Sequence, residues 1–246
     1  MPPAGDPPED FPWLDETEFV RFPPPEASNS DGILAFGGNL SPGMLLSAYK
    51  QGIFPWFSDG DPILWWCPDP RFVIQPDRLH VSRSLRRTLR SGRYHCTFDT
   101  SFADVISQCA RVERRGQDGT WITDDMADAY LRLHELGFAH SCETWEGDLL
   151  VGGAYGVSLG RVFFGESMFS VASDASKVAL VTIVRTLEQR GFGLIDSQVR
   201  TNHVASMGGI DIPRDEFLVR LAEGLSHDTI RGDWSLLLDV AAPSDQ

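Results

Sequence analysis

The stretch from about His140 to Val199 constrains the fold more than any other part of the chain. Apolar residues dominate it up to Ser167, and two turn sequences, Glu146-Gly147-Asp148 and Ser158-Leu159-Gly160, interrupt them. Glycine at such points adopts backbone conformations that other residues reach only with strain. The pattern therefore predicts three short strands joined in a meander. Val178, Val181, Val184 and Leu187 follow at helical spacing, with Ser173 or Asp174 placed to cap the helix and Gly191 to end it. Leu194 to Val199 reads as one more strand. A meander, a helix and a returning strand predict an α+β fold.

The rest of the chain divides around that unit. Residues 1–10 hold four Pro and three acids and read as a disordered leader. Residues 11–70, rich in Pro, Gly and Trp, read as a small N-terminal domain. Its one clear helix runs from Pro42 to Lys50, with Ser41 as N-cap and Pro42 in the first helical position. From residue 71 to about 235, helices and strands alternate. Ser82 and Thr123 head two helices that Gly92 and Gly137 close. Pro213 opens a last helix with Phe217 and Leu221 inward, and residues 236–246 read as a flexible tail.

Over 246 residues the net charge is −14, which at first sight excludes a nucleic-acid partner. Its distribution reverses that conclusion. Residues 1–31 carry −7 and residues 211–246 carry −5, which leaves only −2 on residues 32–210. Within that middle, residues 78–93 hold six Arg and no acid. Arg83, Arg86, Arg87 and Arg90 fall at i, i+3, i+4 and i+7, so they share one helix face, with Leu85 and Leu89 turned inward. A solvated surface helix normally mixes its signs. A face of guanidinium groups alone favours phosphate, which responds to local field more than to total charge.

Four scattered cysteines with no Cys-x-x-Cys pair argue against a zinc ribbon or disulfide framework and fit a reducing compartment. No apolar run reaches the ~20 residues of a membrane span, and the first residues lack the regions of a secretion signal. The expectation is a cytoplasmic protein with no membrane partner.

Several residues could carry chemistry. Asp196 and Gln198 stand two apart on the expected last strand, which sends both side chains from one sheet face. A carboxylate beside an amide on a buried strand needs a partner, and the pair is either structural or reactive. Glu166 lies in the apolar run Val162-Phe-Phe-Gly-Glu-Ser-Met-Phe169. There burial would raise its pKa and a bound cation would restore its charge; an exposed strand-end Glu is the alternative. Ser167 resembles the serine of a nucleophile elbow, but Phe169 replaces the second glycine, which argues against a hydrolase. The six histidines show no metal-ligand spacing. Trp56, Trp65, Trp66 and Trp121 sit beside turn residues, where an indole either anchors a loop or stacks a nucleobase.

At family level the motifs coincide. Gly32-Ile-Leu-Ala-Phe-Gly-Gly-Asn-Leu-Ser-Pro42, Gly52-Ile-Phe-Pro-Trp-Phe-Ser58 and Asp61-Pro-Ile-Leu-Trp-Trp-Cys-Pro-Asp-Pro-Arg71 closely resemble the bacterial leucyl/phenylalanyl-tRNA–protein transferases. So do His80-Val-Ser-Arg-Ser-Leu-Arg86, Gly119-Thr-Trp-Ile-Thr123, Phe164-Gly-Glu-Ser-Met-Phe-Ser170 and Asp174-Ala-Ser-Lys-Val-Ala-Leu180. Leu194-Ile-Asp-Ser-Gln-Val199 and His203-Val-Ala-Ser-Met-Gly208 complete the series, which covers about residues 11–225.

The resemblance implies a small N-terminal domain joined to an N-acetyltransferase-like (GNAT) mixed-sheet domain that works without acyl-CoA; a monomer with no cofactor or metal is the accompanying expectation. The implied reaction moves Leu or Phe, and Met less well, from aminoacyl-tRNA onto proteins beginning with Arg or Lys, which marks them for degradation. On the matching positions, Gln198 would take or orient the amine proton and Asp196 would hold Gln198. Glu166 would meet the cationic N-terminal side chain, and Trp56 and Trp121 would frame the terminal adenosine. Ala154, Phe169, Leu180 and Ile183 would wall the amino-acid pocket, and the Arg83–Arg90 helix would hold tRNA phosphates.

Three positions depart from the family pattern. Asn39 stands where Asp is common, Ser197 replaces a Cys on the strand face opposite Asp196 and Gln198, and Ala154 sits where some members carry a bulkier apolar residue that helps line the amino-acid pocket. Two other readings remain in play: an acyl-CoA-dependent N-acetyltransferase, and a non-catalytic RNA-binding module. Against the first, Arg190-Gly-Phe-Gly193-Leu-Ile195 is a poor match to a pyrophosphate loop.

Overall fold

The computed structural model describes residues 11–112 and 122–237. Strand β1 (Ile33–Phe36), helix α1 (Pro42–Lys50) and strands β2 (Phe54–Pro55) and β3 (Leu64–Trp66) come first. The three strands form an antiparallel sheet in the order β1-β3-β2. Helix α1 begins where expected, but by a different device. Ser41 has the extended conformation of an N-cap while its hydroxyl makes no capping bond, so Pro42, pre-set at a helical φ, carries the start. Asn39 secures the same corner. Its Oδ1 accepts from the Ser41 N–H at 3.0 Å, and its Nδ2 donates to the carbonyls of Phe11 and Pro12 at 2.9 and 3.1 Å. An aspartate could make the first of these bonds and neither of the others.

The second sheet follows. Its elements are β4 (Arg71–Ile74), α2 (Arg83–Arg90), β5 (His95–Phe98), α3 (Phe102–Arg111), α4 (Asp124–Glu135) and β6 (Ala139–Glu146). After these come β7 (Leu149–Leu159), β8 (Val162–Ser170), α5 (Ala175–Glu188), β9 (Leu194–Asp196), α6 (Asn202–Ala205), β10 (Ile210–Ile212) and α7 (Arg214–Leu225). Seven strands lie in the order β10-β4-β9-β8-β7-β6-β5. Every pairing is antiparallel except β8 with β9, where the crossover through α5 brings the chain back parallel. The α+β expectation holds.

The expected meander is β6-β7-β8, but its strands reach 8, 11 and 9 residues rather than being short. Gly160 turns β7 into β8 at φ +56, and a Cβ there would collide with the carbonyl oxygen of Gly224. Both faces of the sheet are covered. One apolar cluster joins Tyr155, Val157 and Phe164 of the sheet to α1, α3, α4 and Phe217 of α7. The other joins Ala154, Phe163 and Ile195 to Leu85 of α2 and the apolar face of α5. Burial on both faces explains why β7 reads as a nearly continuous apolar run.

Caps account for several helix starts. Ser82 accepts from the Leu85 N–H and Thr123 from the Met126 N–H, as expected. Asp174 precedes α5 in the left-handed conformation (φ 64) and caps nothing; its carboxylate binds Lys177 at 3.1 Å and Thr88 of α2 at 3.4 Å. Pro213 sits one residue before the first turn of α7, and Phe217 and Leu221 are buried as expected.

The last central strand departs from expectation. It stops at Asp196 instead of running to Val199, because Gln198 takes a positive φ of 60°. Asp196 and Gln198 are therefore not alternate residues of one continuous strand. Asp196, Ser197 and Gln198 all border the same cavity.

Candidate active site

Strands β8 and β9 pair in parallel as far as Phe164 with Asp196. Beyond that pair β9 ends while β8 continues to Ser170. A cavity of about 420 Å³ opens between β8, the chain after Asp196, and the start of α5. Its apolar side includes Ala154, Phe169, Leu180 and Ile183, all four expected in one pocket. Its polar side includes Glu166, Asp196 and Gln198.

Asp196 is sealed. Its Oδ1 accepts from Arg71 Nε at 2.8 Å and its Oδ2 from Arg71 Nη2 at 2.6 Å, with both side chains 0% exposed. Oδ1 also accepts from the backbone N–H of Gln198 at 2.9 Å. Asp196 does hold Gln198, but through the main chain and not through the side-chain amide. The Arg71 guanidinium lies over the rings of Phe54 and Phe217, at 4.7 and 4.5 Å from their centroids, a geometry in which ring quadrupoles attract the cation.

Glu166 has a different environment. Oε1 accepts from the Tyr49 hydroxyl at 2.7 Å and from Gln198 Nε2 at 2.8 Å, while Oε2 accepts from the Tyr130 hydroxyl at 2.7 Å. The two hydroxyls are themselves 2.6 Å apart. With Glu166 ionised, both phenolic protons point to it and the contact between the hydroxyls lacks a proton of its own. Protonating Glu166 supplies the third. Burial pushes the carboxyl from 4.5 to about 7; the three donors oppose that rise, and the Asp196 charge adds to it. Burial and the nearby carboxylate likewise push both tyrosines well above 10.

The Gln198 amide is oriented by these contacts. Its Nε2 donates to Glu166, so its carbonyl oxygen is the end left to accept a hydrogen bond. The sequence reading had Glu166, Asp196 and Gln198. It missed Arg71, Tyr49 and Tyr130, which lie 125, 117 and 36 residues from the carboxylates they bind. A signal existed for Arg71, a lone charge opening an apolar strand, as Asp196 is the lone charge closing another.

Helix α2 presents Arg83, Arg86, Arg87 and Arg90 together around a shallow, open depression. All four are exposed, and among the described residues no carboxylate pairs with them. Arg93 differs, since Glu146 binds it at 2.9 Å. Trp56 is partly buried against Trp66, with centroids 5.4 Å apart, and is not among the residues bordering the cavity. Trp121 lies outside the described residues.

Two family models match: the leucyl/phenylalanyl-tRNA protein transferase N-terminal domain over residues 38–69, and the leucyl/phenylalanyl-tRNA protein transferase over residues 73–222. The chain belongs to the leucyl/phenylalanyl-tRNA–protein transferase family. A leucyl/phenylalanyl-tRNA–protein transferase of Anaeromyxobacter sp. (strain Fw109-5) is 58% identical over 88% of this chain and 92% of its own length. The counterpart in Myxococcus xanthus (strain DK1622) is 56% identical over 87% and 92%. Among solved structures, a GCN5-related N-acetyltransferase from Kribbella flavida is similar at TM-score 0.33 and 10% identity, over 70% of this chain and 61% of that one, a likeness too slight to argue from. As a leucyl/phenylalanyl-tRNA–protein transferase, the chain moves Leu or Phe from tRNA to the N-termini of proteins. Membership in this enzyme family removes the acyl-CoA and non-catalytic RNA-binding readings.

Proposed function

We propose that the transferase acts on proteins whose first residue is Arg or Lys, and that Glu166 recognises that residue. The observation that carries this reading is the company Glu166 keeps. Three neutral donors surround it and, among the described residues, no cation does. An arriving guanidinium or ammonium would supply the missing charge.

The α-amine of such a substrate lies next to Gln198, whose carbonyl oxygen accepts from it. The amine attacks the aminoacyl ester carbon, the C–N bond forms, the bond to the ribose oxygen breaks, and one proton passes from nitrogen to that oxygen. The ester is already activated, so no covalent enzyme nucleophile is required. Holding the two reactants together supplies most of the acceleration, helped by an amine whose pKa of about 7.7–8.0 leaves a usable neutral fraction.

The apolar half of the cavity receives the Leu, Phe or Met side chain, and α2 binds acceptor-stem phosphates regardless of sequence. Trp56 and Trp121 would frame the terminal adenosine. The protein works as a monomer in the cytoplasm, with residues 11–70 and 71–235 as its two domains, and its product is marked for degradation.

Purified protein, radiolabelled Leu-tRNA and peptides beginning with Arg or Ala test the core of this reading. Label should enter the Arg peptide and not the Ala peptide; equal labelling of both would refute it. Ala154→Met, which narrows the pocket beside Leu180, should shift transfer from Phe toward Leu. An unchanged Leu/Phe ratio would remove Ala154 from the specificity wall.

A further inference from the structure

Arg71 is charged, completely enclosed and outside every role given above. A buried ion pair is a poor way to stabilise a protein, since apolar residues of similar shape usually serve as well or better. Its geometry suggests another use. Both Asp196 oxygens are engaged by the guanidinium, at 2.8 and 2.6 Å, and the same carboxylate receives the Gln198 N–H at 2.9 Å. Gln198 stands at φ 60, a conformation that a non-glycine residue keeps only under outside constraint.

The constraint comes from β4 itself. The Ser197 N–H donates to the Phe72 carbonyl at 3.0 Å, and the Gln198 carbonyl accepts from the Phe72 N–H at 3.3 Å. Phe72 adjoins Arg71, so one short segment holds the turn by main chain and side chain together. Phe54 of β2 and Phe217 of α7 both pack their rings against the guanidinium. At the far end of this series the Gln198 amide meets Glu166 at 2.8 Å.

We infer that Arg71 is a positioning residue for aminoacyl transfer: by clamping Asp196 it fixes the left-handed turn at Gln198 and thereby the direction of the Gln198 amide. Asp196 is then an anchor, with its acceptor atoms already used, and the proton of the reacting amine does not pass to it. The inference rests on the reading of Gln198 as the group that receives the amine.

Arg71→Lys keeps the charge and loses the planar two-pronged contact. Transfer kinetics with saturating Leu-tRNA and an Arg-initiated peptide should be measured for wild type, Arg71→Lys, Gln198→Ala and the double variant, each checked by thermal melting. Arg71→Lys should lower kcat roughly 10- to 100-fold, the scale of a misplaced reacting group, with both KM values nearly unchanged. In the Gln198→Ala background the same change should cost almost nothing, because residues acting through one another are non-additive.

Equal losses in both backgrounds, or a rise in both KM values at constant kcat, would overturn the inference. If Arg71→Lys does not fold, Asp196→Asn, which accepts from the Gln198 N–H but cannot receive the full fork, goes through the same cycle with the same criteria. A Gln198→Ala enzyme as fast as wild type would sink the reading of Gln198 and this inference together. A slow Gln198→Ala with additive Arg71→Lys would sink the inference alone.

Discussion

Asp196 and Glu166 are both carboxylates beside one cavity, and both contact Gln198. Asp196 has been given an arginine, so its charge is matched within the protein. Glu166 has been given tyrosines and an amide, which satisfy its oxygens without matching its charge. The contrast separates a fixed part from a responsive one. A charge paired inside the fold maintains geometry, whereas a charge left unmatched in a pocket is available to a substrate.

The largest test of that contrast is Asp196→Ala. It strands the Arg71 guanidinium in a dry interior, which costs about 3–5 kcal/mol, or roughly 6–20 °C in Tm for a protein of this size. Calorimetry should find that loss and transfer should collapse with it; an unchanged Tm would mean that the pair is not structural.

Glu166→Gln should behave in the opposite way. Tm should move by no more than about 2–4 °C, because no partner is stranded. The kcat/KM for Arg-initiated peptides should fall roughly ten- to a hundredfold, the worth of a hydrogen bond to a charged group. A destabilisation equal to that of Asp196→Ala would erase the distinction between the two sites.

pH sharpens the comparison further. Glu166 is raised from 4.5 to about 7, so the stability it contributes is complete below 4.5 and is lost as pH rises through 7. Binding of a cationic N-terminus has the opposite sign, because it needs the ionised form. KM for an Arg peptide should therefore fall as pH rises from 6 to 8, while wild type loses stability relative to Glu166→Gln over the same interval. A flat KM profile in wild type would contradict this assignment.

Tyr130→Phe should give the smallest effect. It removes one of the three donors to Glu166, worth about 0.5–1.5 kcal/mol. Fewer donors to the carboxylate should also move the pH dependence of KM upward. Peptide titrations at several pH values would show it, and a downward move would count against the donor role.

Much of this was legible in the chain itself. The starts of α2 and α4 followed from Ser82 and Thr123, because capping and helical periodicity are local. The meander followed from turn residues and apolar runs, although the strand lengths did not. The motifs brought Glu166, Gln198 and the four pocket residues to attention, and the structure sets all of them around one cavity. The strand assigned beyond Asp196 failed because the turn at Gln198 is imposed by Phe72 and Asp196, more than a hundred residues apart in sequence. Tyr49 and Tyr130 were unremarkable because a helix-face tyrosine looks the same whether it packs in a core or binds a carboxylate.

The sequence by itself determined which segments coil, which extend and which charges cluster on α2, since hydrophobic period and turn chemistry act over a few residues. Only the tertiary structure decided that one buried carboxylate would meet a guanidinium and the other two phenols. That choice depends on side chains from distant segments converging where water is excluded, and there the identity of the nearest partner sets the electrostatics.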